Sequence, residues 1–394
     1  MLTWGTTLSR HGLAVSRPPT DPTALTFAAR ANGRAGLRNR RRNPVAGLLL
    51  AGLLGMGAGC TSVPGRNVPR PSDPSSPEAA CRVGYTTSTY LFRQMLDECG
   101  EGRVNMVAIG DSWFAFTDGN LLFPLRVAMQ RSRARPASNL LNLAQPGNDA
   151  STAVSGVIKR DFADVLRYRD YEVRFILPSG GGNDVLGRND IDRLLRQPVP
   201  PEDPSAAETY FDQPTLERKL EGIRIAYEEI LDMRETWAPE AIVVTHTYAR
   251  VKPSGRPASV EVASFDVEVD GPWIAPFLRE KGIVDERIQQ EVMDYLLGRV
   301  NETIRNVLSS HRGGLAPIVI VDTRNTVPPL EPGNPEHWQD EIHPTPMGFD
   351  ILGHHLIRCM QLVSPDFLRD VRPEHGDPRL CLVIGPDVPP GPRG

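Results

Sequence analysis

Val104-Asn105-Met106-Val107-Ala108-Ile109-Gly110-Asp111-Ser112-Trp113 is the stretch on which the fold turns. Its first six residues are almost continuously apolar and too few for a helix, which is how a strand buried on both faces reads. Gly110 ends the run, and a turn then delivers Asp111 and Ser112. Similar runs recur at 140–143, 173–177, 241–245 and 317–321, and helical patterns lie between them at 121–131, 151–168, 216–236 and 285–310, with a last one at 346–363. Asp285 stands where an N-cap is wanted, and Leu296, Leu297, Val300, Ile304 and Val307 keep an apolar stripe at helical spacing. Pro239 stops the preceding helix. Strands alternating with helices imply a parallel sheet built by right-handed crossovers. The expectation is therefore an α/β fold, a three-layer α/β/α sandwich on five parallel strands, without internal repeats. Residues 185–214 and 250–281 break the alternation as long, Pro-bearing insertions after strand ends, where ligands of such sheets bind.

The 394 residues are 40% hydrophobic and 23% charged, with 35 Gly and 37 Pro, which excludes collagen-like, coiled-coil and wholly disordered chains. Charge is unevenly placed. Residues 1–60 hold eight Arg against a single Asp, a net of +7, and the remainder is at −11. So acidic a body offers no footprint for nucleic acid.

The basic end reads as an address. Arg38-Asn39-Arg40-Arg41-Arg42 precedes a small and apolar run from Val45 to Gly59 and then Cys60. A positive region, a short apolar core and small residues before a cleavage point make a secretory signal; the run is shorter than the ~20 residues that a membrane-spanning helix needs. Gly57-Ala58-Gly59-Cys60 resembles the lipobox of bacterial lipoproteins, with Gly57 where Leu is commonest, so Cys60 is the candidate for lipidation and an ordinary cleaved signal the alternative. The expected organisation is a leader and signal at 1–60, a Pro- and Ser-rich tether at 61–80, one domain at 81–384 and a loose tail at 385–394. Export would place the protein in the cell envelope, the periplasm or the medium, with membrane contact only through the lipid. Cys81, Cys99, Cys359 and Cys381 remain, an even number that suits an oxidising compartment. Local pairing, 81 with 99 and 359 with 381, is the expectation, and their spacings fit no zinc motif.

Strand ends carry the chemistry. Ser112 sits at a strand-to-helix turn, where a nucleophile is exposed near a helix start. The second run leads into Gln145-Pro146-Gly147-Asn148-Asp149, whose glycine lets the backbone aim an N–H at a developing oxyanion. The third ends in Gly180-Gly181-Gly182-Asn183-Asp184, which brings a side-chain amide donor; no Gly-Lys-Ser/Thr follows, so a phosphate loop is the weaker reading. Near the carboxyl end comes Trp338-Gln339-Asp340-Glu341-Ile342-His343-Pro344-Thr345, in which a His can take the Ser proton while the Asp holds its other nitrogen.

In this order the four blocks resemble those of the SGNH hydrolases, the GDSL-type esterases and lipases, over about residues 103–360. The resemblance implies a flavodoxin-like sheet and a serine esterase, with Ser112 as nucleophile, His343 as base and Asp340 as its orienter. It implies an oxyanion hole from Ser112, Gly147 and Asn183, with Gly156 as the substitute should Gly147 be misplaced. No Gly-x-Ser-x-Gly elbow surrounds Ser112. No cofactor or metal is called for, and the partner is a small or polymeric ester. Asp111 is assigned to supporting the turn. Trp113, His246 and Trp273 are candidates for substrate contact, the last in a 270–278 segment that reads as a lid or as a packed subdomain. His337 and Trp338 can line the mouth or lie in a solvated loop, Glu341 is read as a solvated neighbour, and His354 and His355 as surface or packing residues. The rival functions are a polysaccharide or cell-wall O-deacetylase or acyltransferase on the same site, and an idle tethered binding protein.

Overall fold

The computed structural model describes residues 84–385, apart from 100–102, 117–118, 135–136, 169–171, 199–205, 263–264, 312–314 and 329–336. The leader, Cys60, the tether, Cys81 with its expected bond to Cys99, and the tail beyond 385 lie outside the described residues. In chain order the strands are β1 (Gly84–Thr86), β2 (Val104–Ile109), β3 (Ser138–Asn142), β4 (Val173–Pro178), β5 (Ile242–His246), β6 (Ala258–Val262), β7 (Phe265–Asp270), β8 (Ile318–Val321) and β9 (Cys381–Ile384). The helices are α1 (Thr89–Cys99), α2 (Ser112–Ala115), α3 (Phe123–Arg131), α4 (Ala150–Ala153), α5 (Gly156–Arg167), α6 (Gly182–Leu186), α7 (Arg188–Leu194), α8 (Gln213–Trp237), α9 (Ala275–Glu280), α10 (Glu286–Ser310) and α11 (Pro346–Val363).

The main sheet runs β1-β3-β2-β4-β5-β8-β9, parallel throughout except for β9. The five expected strands form its unbroken interior. The count of five is corrected to seven: β1, three residues long, joins one edge, and β9 closes the other antiparallel to β8. Burial on both faces explains why the inner strands read so clearly, since Met106, Val107, Ala108, Phe175, Ile176, Val243 and Val319 have no exposed surface.

Strand order fixes the layers. From β2 the chain moves one way to β3, so a right-handed crossover puts α3 on one face; β3 to β4, β4 to β5 and β5 to β8 all move the other way, so α5, α8 and α10 cover the opposite face. Packing agrees, with α11 against α3, β5 and β8, and α8 against both α5 and α10. The reversal leaves a switch point at the carboxyl ends of β2 and β4, where open parallel sheets bind ligands.

Helix ends follow local chemistry. Asp285 caps α10 by accepting the Ile288 N–H, and Asp212 caps α8 through the Thr215 N–H. The helix expected over 151–168 is instead two, because the chain is extended at Ser155 and Gly156 turns back at φ +54°. The insertions are partly structured. Residues 185–214 hold α7, a 3-10 turn at Ala207–Tyr210 and a bridge between Leu195 and Phe211, and 250–281 hold the β6–β7 hairpin and α9.

Cys359, fully buried in α11, is bonded to Cys381 at the start of β9, as expected. The bond closes a loop of 22 residues and ties the antiparallel edge to the helix layer. Cys381→Ser should cost about 2–4 kcal/mol of stability, read as a lower unfolding temperature that reductant reproduces in the unaltered protein.

Candidate active site

The switch point is narrow because two backbones meet there. Gly110, at φ +143°, passes so close to β4 that a Cβ would lie 2.0 Å from the Ser179 carbonyl oxygen. Only glycine fits. Asp111 then caps α2 through the Trp113 N–H at 3.0 Å, and Ser112 is the first residue of that helix. The Asp111 carboxylate is buried and also accepts the Ser179 hydroxyl at 2.7 Å and the Tyr248 hydroxyl. Three strand ends are thereby bound to one side chain, the supporting part expected of it.

Next to this turn, the Gln145 N–H donates to the Gly110 carbonyl at 3.0 Å, and the Asn183 amide donates to the Asn148 carbonyl at 3.0 Å. These bonds hold the 145–148 and 182–184 segments to each other and to the turn that carries Ser112. Gly147 has φ +77° and open space where a Cβ would be. Gly156, by contrast, forms the break between α4 and α5.

The third part comes from the loop before α11. Gln339 N–H donates to the His343 carbonyl, Thr345 N–H donates to the His337 carbonyl, and Thr345 caps α11. Inside this loop Asp340 is wholly buried; its Oδ1 accepts the Ile342 and His343 N–H groups at 2.8 Å each. Its Oδ2 lies 2.9 Å from His343 Nδ1, and His343 Nε2 lies 2.9 Å from Ser112 Oγ. A carboxylate can only accept, so Nδ1 carries the proton and Nε2 is free to accept from Ser112.

A narrow cleft opens beside these groups, lined by Ser112, Asn183, Trp113, Leu186, Val251 and Ile342 among others. Trp113 thus lines the cleft and also stacks on His246. His246 itself is a correction. Its ring is buried, Nδ1 donates to the Thr247 carbonyl at 2.9 Å and Nε2 lies 3.0 Å from Ser179 Oγ, so it supports the Asp111 cluster rather than facing substrate. Burial also holds its pKa below the usual imidazole value. Trp273 approaches His343 edge-on at 5.6 Å. Phe116, unremarked in the sequence, stacks on His343 at 4.7 Å; its place four residues after Ser112 at the end of α2 was the available signal.

Two further readings are corrected. Trp338 is fully buried, with its indole donating to the Pro328 carbonyl, and lines no mouth. Glu341 is not solvated: it is wholly buried and accepts the Gly255, Ile274 and Ala275 N–H groups at 2.8, 2.7 and 3.0 Å. It caps α9 and fastens the 250–281 insertion to the loop that carries Asp340 and His343. Burial raises its pKa, opposed by those N–H bonds. Asp184, beside Asn183, is pushed up to about 7, chiefly by burial, while the Ala150 N–H it accepts at 2.8 Å works the other way.

The Asp184 shift sets a pH dependence. Between about pH 4 and 7 the folded chain keeps a proton that the unfolded chain has released, so the Asp184 contribution is full in acid and lost as pH rises through 7. Asp184→Asn should gain on the unaltered protein between pH 5 and pH 8, on the order of a few kcal/mol, measured from urea midpoints. Glu341→Gln sets an amide against backbone donors. It should cost about 2–3 kcal/mol and speed proteolysis within 250–281 ahead of the rest of the domain.

No family model matches the sequence, and no curated protein does. Solved structures do. They include the lipase Lip_vut3 from a goat rumen metagenome, at 13% identity and TM-score 0.40 over 64% of this chain and 94% of that one. Others are an extracellular lipase from Streptomyces rimosus, 14% identical with TM-score 0.35 over 62% and 94%, and a family 3 carbohydrate esterase from Talaromyces cellulolyticus, 14% identical with TM-score 0.35 over 68% and 99%. Likeness at this level carries no argument about the site. What the chain shows by itself is a set of four sequence blocks at the strand ends and a run of hydrogen bonds linking Asp340, His343 and Ser112.

Proposed function

We propose that the protein is an exported serine esterase that hydrolyses carboxylic esters through an acyl-enzyme on Ser112. The observation that carries this reading is the chain of two 2.9 Å hydrogen bonds from buried Asp340 through His343 to Ser112. In the first step Ser112 Oγ attacks the ester carbonyl carbon and its proton passes to His343 Nε2. The charge that develops on the carbonyl oxygen meets the Ser112 N–H, the Gly147 N–H and the Asn183 amide. Asn183 has two amide N–H bonds, of which Asn148 takes one, leaving the other for the oxyanion. The ester C–O bond then breaks and His343 returns the proton to the departing alcohol. Water repeats the sequence, giving its proton to His343 and releasing the acid from Ser112, which regains its own. Asp340 holds the imidazole in the working tautomer and stabilises its charged form. Every proton has a place among these side chains, so the steps need no cofactor.

Export rests on the Arg-rich segment before Cys60 and on the Cys359–Cys381 bond, which suits an oxidising compartment. A lipid on Cys60 would hold the enzyme at a membrane. The cleft favours short acyl groups, because its narrow space with Trp113, Leu186 and Ile342 in its wall suits acetyl better than a long chain. That size also supports the second reading, removal of acetyl groups from a polysaccharide.

A series of p-nitrophenyl esters beside acetylated xylan tests this. Acetate to butyrate should give the highest kcat/KM, with a steep fall at longer chains. Ser112→Ala should lose about 10⁴-fold or more, and Asn183→Ala about 10²–10³-fold. Full activity in the Ser112 variant sinks the mechanism. Failure of the native protein to take a covalent fluorophosphonate label would point to an idle binding protein instead.

A further inference from the structure

Away from the cleft, α11 carries Asp350 and His354 one turn apart, and the segment returning toward β9 lays His375 over them. One ligand atom from each of the three lies within 4.8 Å of the others. The imidazoles of His354 and His375 are 5.5 Å apart and tilted by 32°.

His354 Nδ1 decides how this cluster reads. The atom is buried and has no hydrogen-bond partner, and its nearest carboxylate oxygen, Asp350 Oδ2, is 3.9 Å away. That gap is too wide for a hydrogen bond. It is within the span of two bonds of about 2.0–2.2 Å to a shared ion, the lengths that Zn²⁺ makes to imidazole nitrogen and carboxylate oxygen. A buried acceptor nitrogen left unmatched costs stability, whereas one turned toward a cation does not.

Adjacent groups leave the set intact. His355, next in sequence, is turned inward, and its Nδ1 accepts the Asp377 N–H at 3.0 Å. Asp377 in turn is engaged by Arg379, its pKa lowered to about 2 by that contact. Neither competes for the ion, and neither completes its shell.

We propose that Asp350, His354 and His375 form a binding site for a divalent transition-metal ion of the zinc class. Two imidazoles and one carboxylate suit such an ion, and exposed His375 leaves the remaining position to water. The ion is structural. It would join the returning 372–377 segment to α11, on the same helix that the Cys359–Cys381 bond ties to β9, giving the carboxyl-terminal edge a second cross-link independent of redox state. Ester hydrolysis does not pass through it.

The test is calorimetric titration of the disulfide-intact protein with ZnCl₂, paired with thermal unfolding. One equivalent should bind and raise the unfolding temperature. His375→Gln, an exposed change that leaves the core untouched, should weaken binding at least tenfold and abolish the thermal shift while ester turnover stays the same. His354→Ala should do likewise. His343→Ala should still bind, which separates this site from the one at Ser112. Absence of binding, or binding that both His354 and His375 variants retain, overturns the proposal.

Discussion

The carboxylate of Asp111 holds the site together. It accepts the Trp113 N–H, the Ser179 hydroxyl and the Tyr248 hydroxyl, and so binds the ends of β2, β4 and β5 to one another. Because Gly110 has already brought β2 against Ser179, this anion can reach all three from a fully buried position. Each neighbour is then fixed by the next: Ser179 meets His246, His246 stacks under Trp113, and Trp113 lines the cleft. Ser112 inherits its position from this cluster.

A second anion does the same for the other half. Asp340 and Glu341 are adjacent, both wholly buried, and face different partners. Asp340 binds its own loop and His343; Glu341 binds three N–H groups of the insertion. The insertion therefore cannot shift without pulling on the residue beside Asp340. Trp273, whose ring meets His343 edge-on, comes from that same insertion. This links the outer segment to His343 through packed groups, so changes in the insertion can act on His343 from outside the cleft.

The sheet was legible where burial was two-sided. β2 was readable to the residue, and α11 to both ends, because apolar run and capping signals agreed. β1 was not, since three residues at an edge carry too little pattern, and β9 was half-buried and obscured by its nearness to a Pro-rich tail. The block residues Ser112, Asn183, Asp340 and His343 could be singled out because each stands at an element end in a distinctive local sequence. Glu341 and Trp338 could not, because their burial goes with contacts to Gly255, Ile274 and Ala275 for the one and to Pro328 for the other, which no local periodicity encodes. His246 was misplaced for a related reason: strand ends point toward ligand as a rule, but this ring is claimed by Ser179 and Thr247.

Asp111, Asp184, Asp340 and Glu341 share one design. None is matched by an Arg or Lys ion pair among the described residues; each is satisfied by N–H or O–H donors that the fold aims at it, the His343 imidazole of Asp340 among them. Hydrogen bonds from fixed backbone groups are not screened as surface charges are, so salt should disturb this site little, whereas protonation changes what each oxygen can accept. These four carboxyls are a small part of the 47 acidic residues beyond residue 60, whose net charge is −11. The acidic groups of the site, unlike the net charge of the chain, are thus coupled to the position of Ser112 and His343.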